Sequence, residues 1–281
     1  VLETEKNSYR AKTVILAMGG KAAPVHGTDG DGFVLAKTMG LRLIEPLPAL
    51  TSCILKGNFM KEWSGVRVLG QISLYNRQGE CLAEDQGELQ MVSYGLSGIP
   101  VFQISRYVSR ALQKKEQPYL VMDVMTAYTE QEIEEELSYR QHHFPKWTGV
   151  DVLDGMMHRK LAKVCLKSLG LDPGQSIGTW TPQQISAMAD RMKNWKLGIE
   201  GVSGFDKAQV TCGGIGTGQI DSRTMEVKQY PGLYITGEML DVDGICGGYN
   251  LQWAWTSGYL AGRSAAQNSR QQHRNGQVKH D

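Results

Sequence analysis

The chain has 281 residues, with 30 Lys+Arg against 29 Asp+Glu; the resulting net charge of +1 argues against a large sequence-independent nucleic-acid surface. Hydrophobic residues make up 41% and charged residues 21%, too apolar for a disordered chain and ordinary for one large globular domain or two to three small ones. No uninterrupted apolar run of about 18 residues occurs, which excludes an ordinary transmembrane helix, and the 33 glycines are the compositional outlier.

The chain opens on Val1-Leu2-Glu3, with no Met and no basic segment leading into an apolar one. No signal peptide is expected, and the chain reads as processed or cut from something longer. Lys12–Ala17 is a short apolar, β-branched run ending in Met18-Gly19-Gly20, the pattern of a strand buried on both faces of a parallel sheet. A helix follows, with Phe33, Ala36 and Met39 on one side, Asp29 or Asp31 as its cap and Gly40 at C′. Strand, glycine turn and capped helix are α/β grammar.

Near Pro46 the grammar changes. Val66, Val68, Ile72 and Leu74 alternate with more polar neighbours, Asn76–Gly79 makes a turn, and Leu120–Val124 is a further strand candidate. Between them Ser97-Gly98-Ile99-Pro100 opens a helix with Val101, Ile104, Val108 and Leu112 on one face. The expectation is a small antiparallel barrel with one helix. A helical block succeeds it: Thr129 and Glu132 form a capping box, His158–Leu169 is amphipathic, and Thr181-Pro182 starts a last helix. Its Met and Trp residues read as core filling rather than a ligand groove, and His142 and His143 as solvated. Leu197–Val202 returns as a barrel strand.

Beyond Val210 the chain is rich in glycine. Leu233–Thr236 reads as a short buried strand ending in Gly237-Glu238, and Gly247-Gly248-Tyr249-Asn250 leads into a helix running to about Arg263. The polar, aperiodic stretch from Asn268 to Asp281 reads as a loose tail. A strand whose carboxyl end meets a glycine turn and a helix N-terminus is where α/β folds place a ligand. Glycines admit close backbone approach, first-turn N–H groups offer donors, and Glu238 can accept from ligand hydroxyls. Taken singly, a Gly-Gly turn before a helix is more often only a tight connection.

Taken together, Val14-Ile15-Leu16-Ala17-Met18-Gly19-Gly20, Asp29-Gly30-Asp31-Gly32-Phe33, Pro46–Leu50, Gly95–Gly98, Thr211-Cys212-Gly213-Gly214, Gly237–Gly244 and Gly247–Gln252 carry a resemblance. In order, and over nearly the whole chain, they resemble the NAD(P)/FAD-dependent oxidoreductase family that includes aminoacetone oxidases and flavoproteins linked to bile-acid dehydroxylation. That family lies within the glutathione-reductase-like two-dinucleotide-binding superfamily. The resemblance implies an α/β, Rossmann-like FAD-binding domain interrupted by an insert made of a small β-barrel and a helical bundle. The expected division is 1–45 for the first FAD-binding segment, 46–128 for the barrel, 129–194 for the bundle, 195–209 for the returning strand, 210–267 for the C-terminal FAD-binding segment and 268–281 for the tail.

It further implies FAD as cofactor, NAD(P)H as candidate reductant and hydride exchange between flavin N5 and a small organic substrate. The cofactor-binding residues it implies are Gly19, Gly20, Gly213, Gly214, Gly237, Glu238, Asp241, Gly247, Gly248, Tyr249, Asn250 and Leu251. Gly237 and Glu238 would approach the ribityl and pyrophosphate, and Gly247–Leu251 the ring. Neither nucleic acid nor membrane is expected as a partner, and the protein is expected to be cytoplasmic. One departure stands out. The family's opening strand, G-x-G-x-x-G turn and helix, which hold the ADP half of FAD, have no match from Val1 onward. Gly213–Gly218 has glycines at other spacing. The chain therefore reads as an incomplete, C-terminal part of a family member, whose retention of FAD is in doubt. The alternative function is a non-catalytic binding or scaffold module.

Five cysteines, Cys53, Cys81, Cys165, Cys212 and Cys246, form no C-x-x-C pair and no metal-ligand cluster, so no metal is expected. Cys212 and Cys246 adjoin Gly-Gly pairs, as a redox-active thiol pair would. Lying in two separate turns, they read instead as small buried thiols. No catalytic acid or base is legible.

Overall fold

The computed structural model of the chain describes residues 1–277. Its strands are β1 (Leu2–Glu3), β2 (Ser8–Tyr9), β3 (Val14–Leu16), β4 (Leu43–Ala49), β5 (Cys53–Leu55), β6 (Arg67–Tyr75), β7 (Cys81–Val92), β8 (Gly95–Ser97), β9 (Tyr119–Asp123), β10 (Trp195–Val202), β11 (Val210–Ile215) and β12 (Leu233–Ile235). Its helices are α1 (Asp31–Thr38), α2 (Met60–Trp63), α3 (Ile99–Gln113), α4 (Glu130–His143), α5 (Gly149–Leu153), α6 (Arg159–Ser168), α7 (Pro182–Lys193) and α8 (Tyr249–Gln277). They form two compact units, Val1–Ala49 with the chain from Gly204 onward, and Leu50–Ser203.

In the first unit β3 and β12 pair in parallel, Val14 with Leu233 and Leu16 with Ile235, although more than 200 residues separate them in sequence. β4 and β11 form an antiparallel ribbon whose register shifts between Cys212 and Gly214. Gly213 makes that shift possible: its φ is +90°, and a Cβ there would overlap the Glu45 carbonyl oxygen. Leu16, Ala36, Ile235, Met239 and Ala261 belong to one buried cluster.

Several expectations need correction here. The β3 run is not buried on both faces, since Ile15 is 41% exposed while Leu16 is buried; β3 has a strand partner along one edge only among the described residues. Neither Asp29 nor Asp31 caps α1. Gly30, at φ 94°, holds the N-cap position, and the Asp29 carboxylate accepts from the Asp31 N–H in the preceding turn. Pro46 and Pro48 lie within β4 and so in the first unit, and residues 204–209 belong there too, because β10 already ends at Val202.

The chain from Asn268 to Gln277 is not a loose tail but the continuation of α8; residues 278–281 lie outside the described residues. This helix needs no broad apolar stripe. Ala261 and Ala265 are buried, and the Asn268 side-chain amide donates to the Tyr234 hydroxyl at 3.3 Å. Its Ala, Gln and Arg residues are good helix formers.

The second unit is a closed barrel of six antiparallel strands in the order β10-β5-β8-β7-β6-β9. In β10, Trp195, Leu197 and Ile199 point inward and alternate with exposed Lys196, Gly198 and Glu200. The β6–β7 hairpin turns at Asn76–Gly79, where Asn76 Oδ1 accepts from the N–H groups of Gln78 and Glu80 at 3.0 and 2.9 Å. α4 and α7 carry the capping boxes of Thr129–Glu132 and Thr181–Gln184. Trp63 near the barrel, Ile72 and Leu120 in its wall, and Leu161 and Met188 on α6 and α7 belong to one continuous hydrophobic cluster. Barrel and helices thus share a core rather than forming separate domains, and Met188 and Met192 are core side chains.

Candidate functional site

Because β3 and β12 are parallel and in register, their carboxyl ends emerge side by side. One continues into Met18-Gly19-Gly20, the other into Gly237-Glu238. The Met18 N–H meets Met239 Sδ at 3.3 Å, joining the two turns.

Behind them sits Thr211 of β11, fully buried. Its hydroxyl oxygen accepts from the N–H groups of Lys21 and Ala22, at 2.8 and 3.1 Å. Its own N–H donates to Glu238 Oε1 at 2.7 Å, and its hydroxyl lies on the side of the same carboxylate. Gly20 is needed for this approach, since a Cβ there would overlap both Thr211 Oγ1 and Glu238 Oε1. Burial pushes the Glu238 carboxyl above its ordinary value, opposed by the two Thr211 bonds and reinforced by the negative charge of Asp243.

The Gly237 peptide is clamped by α8 from both sides. Its N–H donates to Ser257 Oγ at 2.9 Å, and its carbonyl accepts from Trp253 Nε1 at 3.1 Å. Trp253 and Ser257 are four residues apart and so share a helix face. Near the start of α8, Asn250 closes the preceding loop: its Oδ1 accepts from the Gly244 N–H at 2.7 Å and its Nδ2 donates to the Gly244 carbonyl at 3.1 Å.

Gly247 and Gly248 adopt φ of +108° and +91°, and a Cβ at Gly248 would have no protein atom within 4 Å. The next residues, Tyr249 and Leu251, are each 59% exposed. The first N–H groups of a helix have no partner within it and carry the positive end of its dipole. The start of α8 therefore suits an anion or an electron-rich carbonyl edge.

The twelve expected site residues thus sort into two sets. Gly19, Gly247, Gly248, Tyr249 and Leu251 front open space or are exposed; only the Thr28 side chain comes within 4 Å of a Cβ built at Gly19. The others serve contacts within the protein. Gly20 and Glu238 meet Thr211, Gly213 meets β4, and a Cβ at Gly214 would lie 2.8 Å from the Met239 carbonyl oxygen. Gly237 meets α8, the Asp241 N–H donates to the Ile215 carbonyl at 2.9 Å, and Asn250 closes its own loop. Glu238, expected to accept from ligand hydroxyls, has Oε1 committed to Thr211. Sequence reasoning missed the supporting roles of Thr211, Trp253 and Ser257; the i,i+4 spacing of the last two was the available signal.

Cys212 is buried and Cys246 half-buried, and neither forms a disulfide. Among the described residues no group of His, Cys, Asp and Glu could hold a metal ion, and no helix is long and apolar enough to cross a membrane.

The family model described as HI0933-like protein Rossmann domain matches residues 1–264. The chain is 39% identical over 268 residues to a 3-dehydro-bile acid delta(4,6)-reductase of Clostridium scindens, a match covering 95% of this chain and 65% of that protein. It is 29% identical over 266 residues to a ribosomal RNA dihydrouridine synthase of Haemophilus influenzae, covering 94% and 63%. It is 30% identical over 249 residues to the ribosomal RNA dihydrouridine synthase of Escherichia coli, covering 88% and 58%. The chain thus spans less than two thirds of the length of each.

Proposed function

Because the chain belongs to the HI0933-like Rossmann-domain family, we propose that it is the cofactor-facing part of a FAD-dependent oxidoreductase that reduces a carbon–carbon double bond conjugated to a carbonyl. One observation carries the cofactor half of this reading. Two parallel strands release their carboxyl ends into glycine turns beside a helix start whose Gly248 leaves room for a ligand.

The residues present fit one end of a flavin. Gly247, Gly248 and the backbone of Tyr249–Leu251 would hold the ring edge, and Gly19 would line the same side. When bound, FAD supplies hydride exchange at N5 and carries added negative charge on its N1/O2 edge once reduced. The α8 N-terminus would stabilise that charge through its dipole and first-turn donors. Thr211, Glu238, Trp253 and Ser257 act as positioning residues, fixing the two turns.

The ADP half has no strand–G-x-G-x-x-G–helix unit among residues 1–281, so in this reading a preceding segment supplies it. The exposed Ile15 on β3 offers a surface for such a segment. In the same reading the second unit is an insert within the flavin-binding domain. The substrate class rests on the relatives. In the chemistry of their names, a delta(4,6)-reductase and a dihydrouridine synthase both add two hydrogens across a carbon–carbon double bond. NAD(P)H is the proposed electron source.

The test uses the intact protein, including whatever precedes Val1. Anaerobic NADPH should bleach its flavin absorbance, and a 3-oxo steroid with a conjugated double bond, or uridine-containing RNA, should restore it. An intact protein that purifies folded and free of flavin would refute the proposal in favour of a scaffold module.

A further inference from the structure

The near-zero net charge conceals a separation of charge within the second unit. α4 carries Glu130, Glu132, Glu134, Glu135 and Glu136, whereas α6 carries Arg159, Lys160, Lys163 and Lys167 and no acidic residue. Lys160, Lys163 and Lys167 are spaced to lie along one side of α6, and all three are exposed.

α2 lies beside that helix: Lys167 Nζ pairs with Glu62 at 2.6 Å, and Lys160 Nζ donates to the Ser64 carbonyl at 3.1 Å. Between α2, α6, α7 and β10 opens a cavity of about 390 Å³, lined by Lys56, Lys167, Arg191 and Lys196 against a single carboxylate, Glu62. Its other polar lining comes from Asn58 and Ser168, and half-buried Phe59 adds an aromatic wall.

Of the cavity's cations, Lys167 alone is paired with a carboxylate, Glu62, among the described residues. Arg191 donates to Ser168 Oγ at 3.1 Å and stands 5.7 Å over the Trp195 ring, which fixes the guanidinium while leaving most of its donors. Lys196 contacts the Tyr119 ring at 5.9 Å, and Lys56 and Lys163 make no ion pair among the described residues. A row of lysines on a helix, continuing into a cationic pocket with an aromatic wall, is the pairing that tracks a phosphate backbone and receives an unstacked base.

We propose that this α2–α6–β10 face binds the phosphodiester backbone of a single-stranded nucleic acid, with one nucleotide entering the cavity. The proposal does not depend on the flavin site. Electrostatics favour this occupant: in the cavity Lys56, Lys167, Arg191 and Lys196 meet one carboxylate, Lys160 and Lys163 continue the positive charge along α6, and repeated negative charge is their complement. A polynucleotide repeats one phosphate and one planar base in every unit, which matches a row of cations beside Phe59 more regularly than an acidic peptide does.

The experiment is fluorescence anisotropy of the whole chain with a labelled single-stranded RNA of about 20 nucleotides, titrated over KCl. With roughly four phosphates contacted, log Kd against log salt should have a slope of magnitude about 3. Raising KCl from about 50 to about 200 mM should then weaken binding about 50-fold. The triple variant Lys56→Gln/Lys163→Gln/Lys196→Gln should reduce that slope by about 2, and Lys163→Gln alone by about 0.7. Lys146→Gln, which removes an exposed lysine beyond the end of α4, should leave it unchanged. Thermal melts should coincide for all four proteins. Absence of binding at low salt, a slope unaltered in the triple variant, or binding of free AMP without binding of the strand would each overturn the proposal.

Discussion

Replacing Thr211 by Val tests whether this residue holds the cofactor-facing turns together. The substitution keeps the shape and removes one oxygen, which accepts from two N–H groups, one of them buried, and supports the Glu238 carboxylate. Leaving a buried donor unsatisfied costs about 1–3 kcal/mol, and two such donors set the upper end at about 6. The Lys21 N–H is only partly buried and can recruit water, so a loss of about 2–4 kcal/mol is expected for the first unit. Thr211→Ser keeps the oxygen and should lose no more than about 1.5 kcal/mol, the cost of a deleted methyl.

Because the chain has two units, a single unfolding midpoint would blend their responses. Amide hydrogen exchange resolves them. In Thr211→Val the Lys21 and Ala22 amides should lose protection by a factor of about 30 to 1,000, the equivalent of 2–4 kcal/mol. Amides of β6 and β9 in the second unit should be unaffected. Unchanged protection at Lys21 and Ala22 in Thr211→Val would refute the assignment.

Glu238→Gln should flatten the pH dependence of the first unit. The folded carboxyl titrates above its unfolded value, so its contribution is fully present below the unfolded value of about 4.3 and is lost as pH rises through the folded value; the variant should not show that loss in pH-resolved exchange. Gly248→Val should stay folded but, at φ +91°, destabilise the α8 start by roughly 1–2 kcal/mol, and in the intact protein it should abolish flavin retention, read as absorbance per chain. Burial pushes the Cys53 and Cys165 thiols up to about 12, so iodoacetamide at neutral pH should label exposed Cys81 in the native chain and reach those two only after denaturation, as peptide mass spectrometry would show.

Signals confined to a few neighbouring residues were legible in the sequence. The Thr129–Glu132 capping box, the Asn76–Gly79 turn and the alternation through β6 depend on contacts a few residues apart, so the chain writes them directly. The pairing of β3 with β12 was legible as well, because both strands end in glycine turns that suit one ligand. Strands β5 and β8, three residues each, were not: periodicity needs more positions, and closing the barrel is what holds them. β4 was hidden by Pro46 and Pro48, which lack N–H groups yet are tolerated in a ribbon with one partner strand. The length of α8 was hidden because small Ala261 and Ala265 suffice for its packing.

The site divides along the same line. Sequence alone determined that Gly20, Gly213, Gly237 and Gly248 occupy positions where a side chain is unwelcome. Only the tertiary structure decided what excludes it: Thr211 and Glu238 at Gly20, the β4 backbone at Gly213, positive φ and the hold of α8 at Gly237, and at Gly248 a positive φ facing open space. A glycine records that side-chain room or backbone freedom is restricted, but the group that restricts it can lie 200 residues away, and only the folded chain brings the two together.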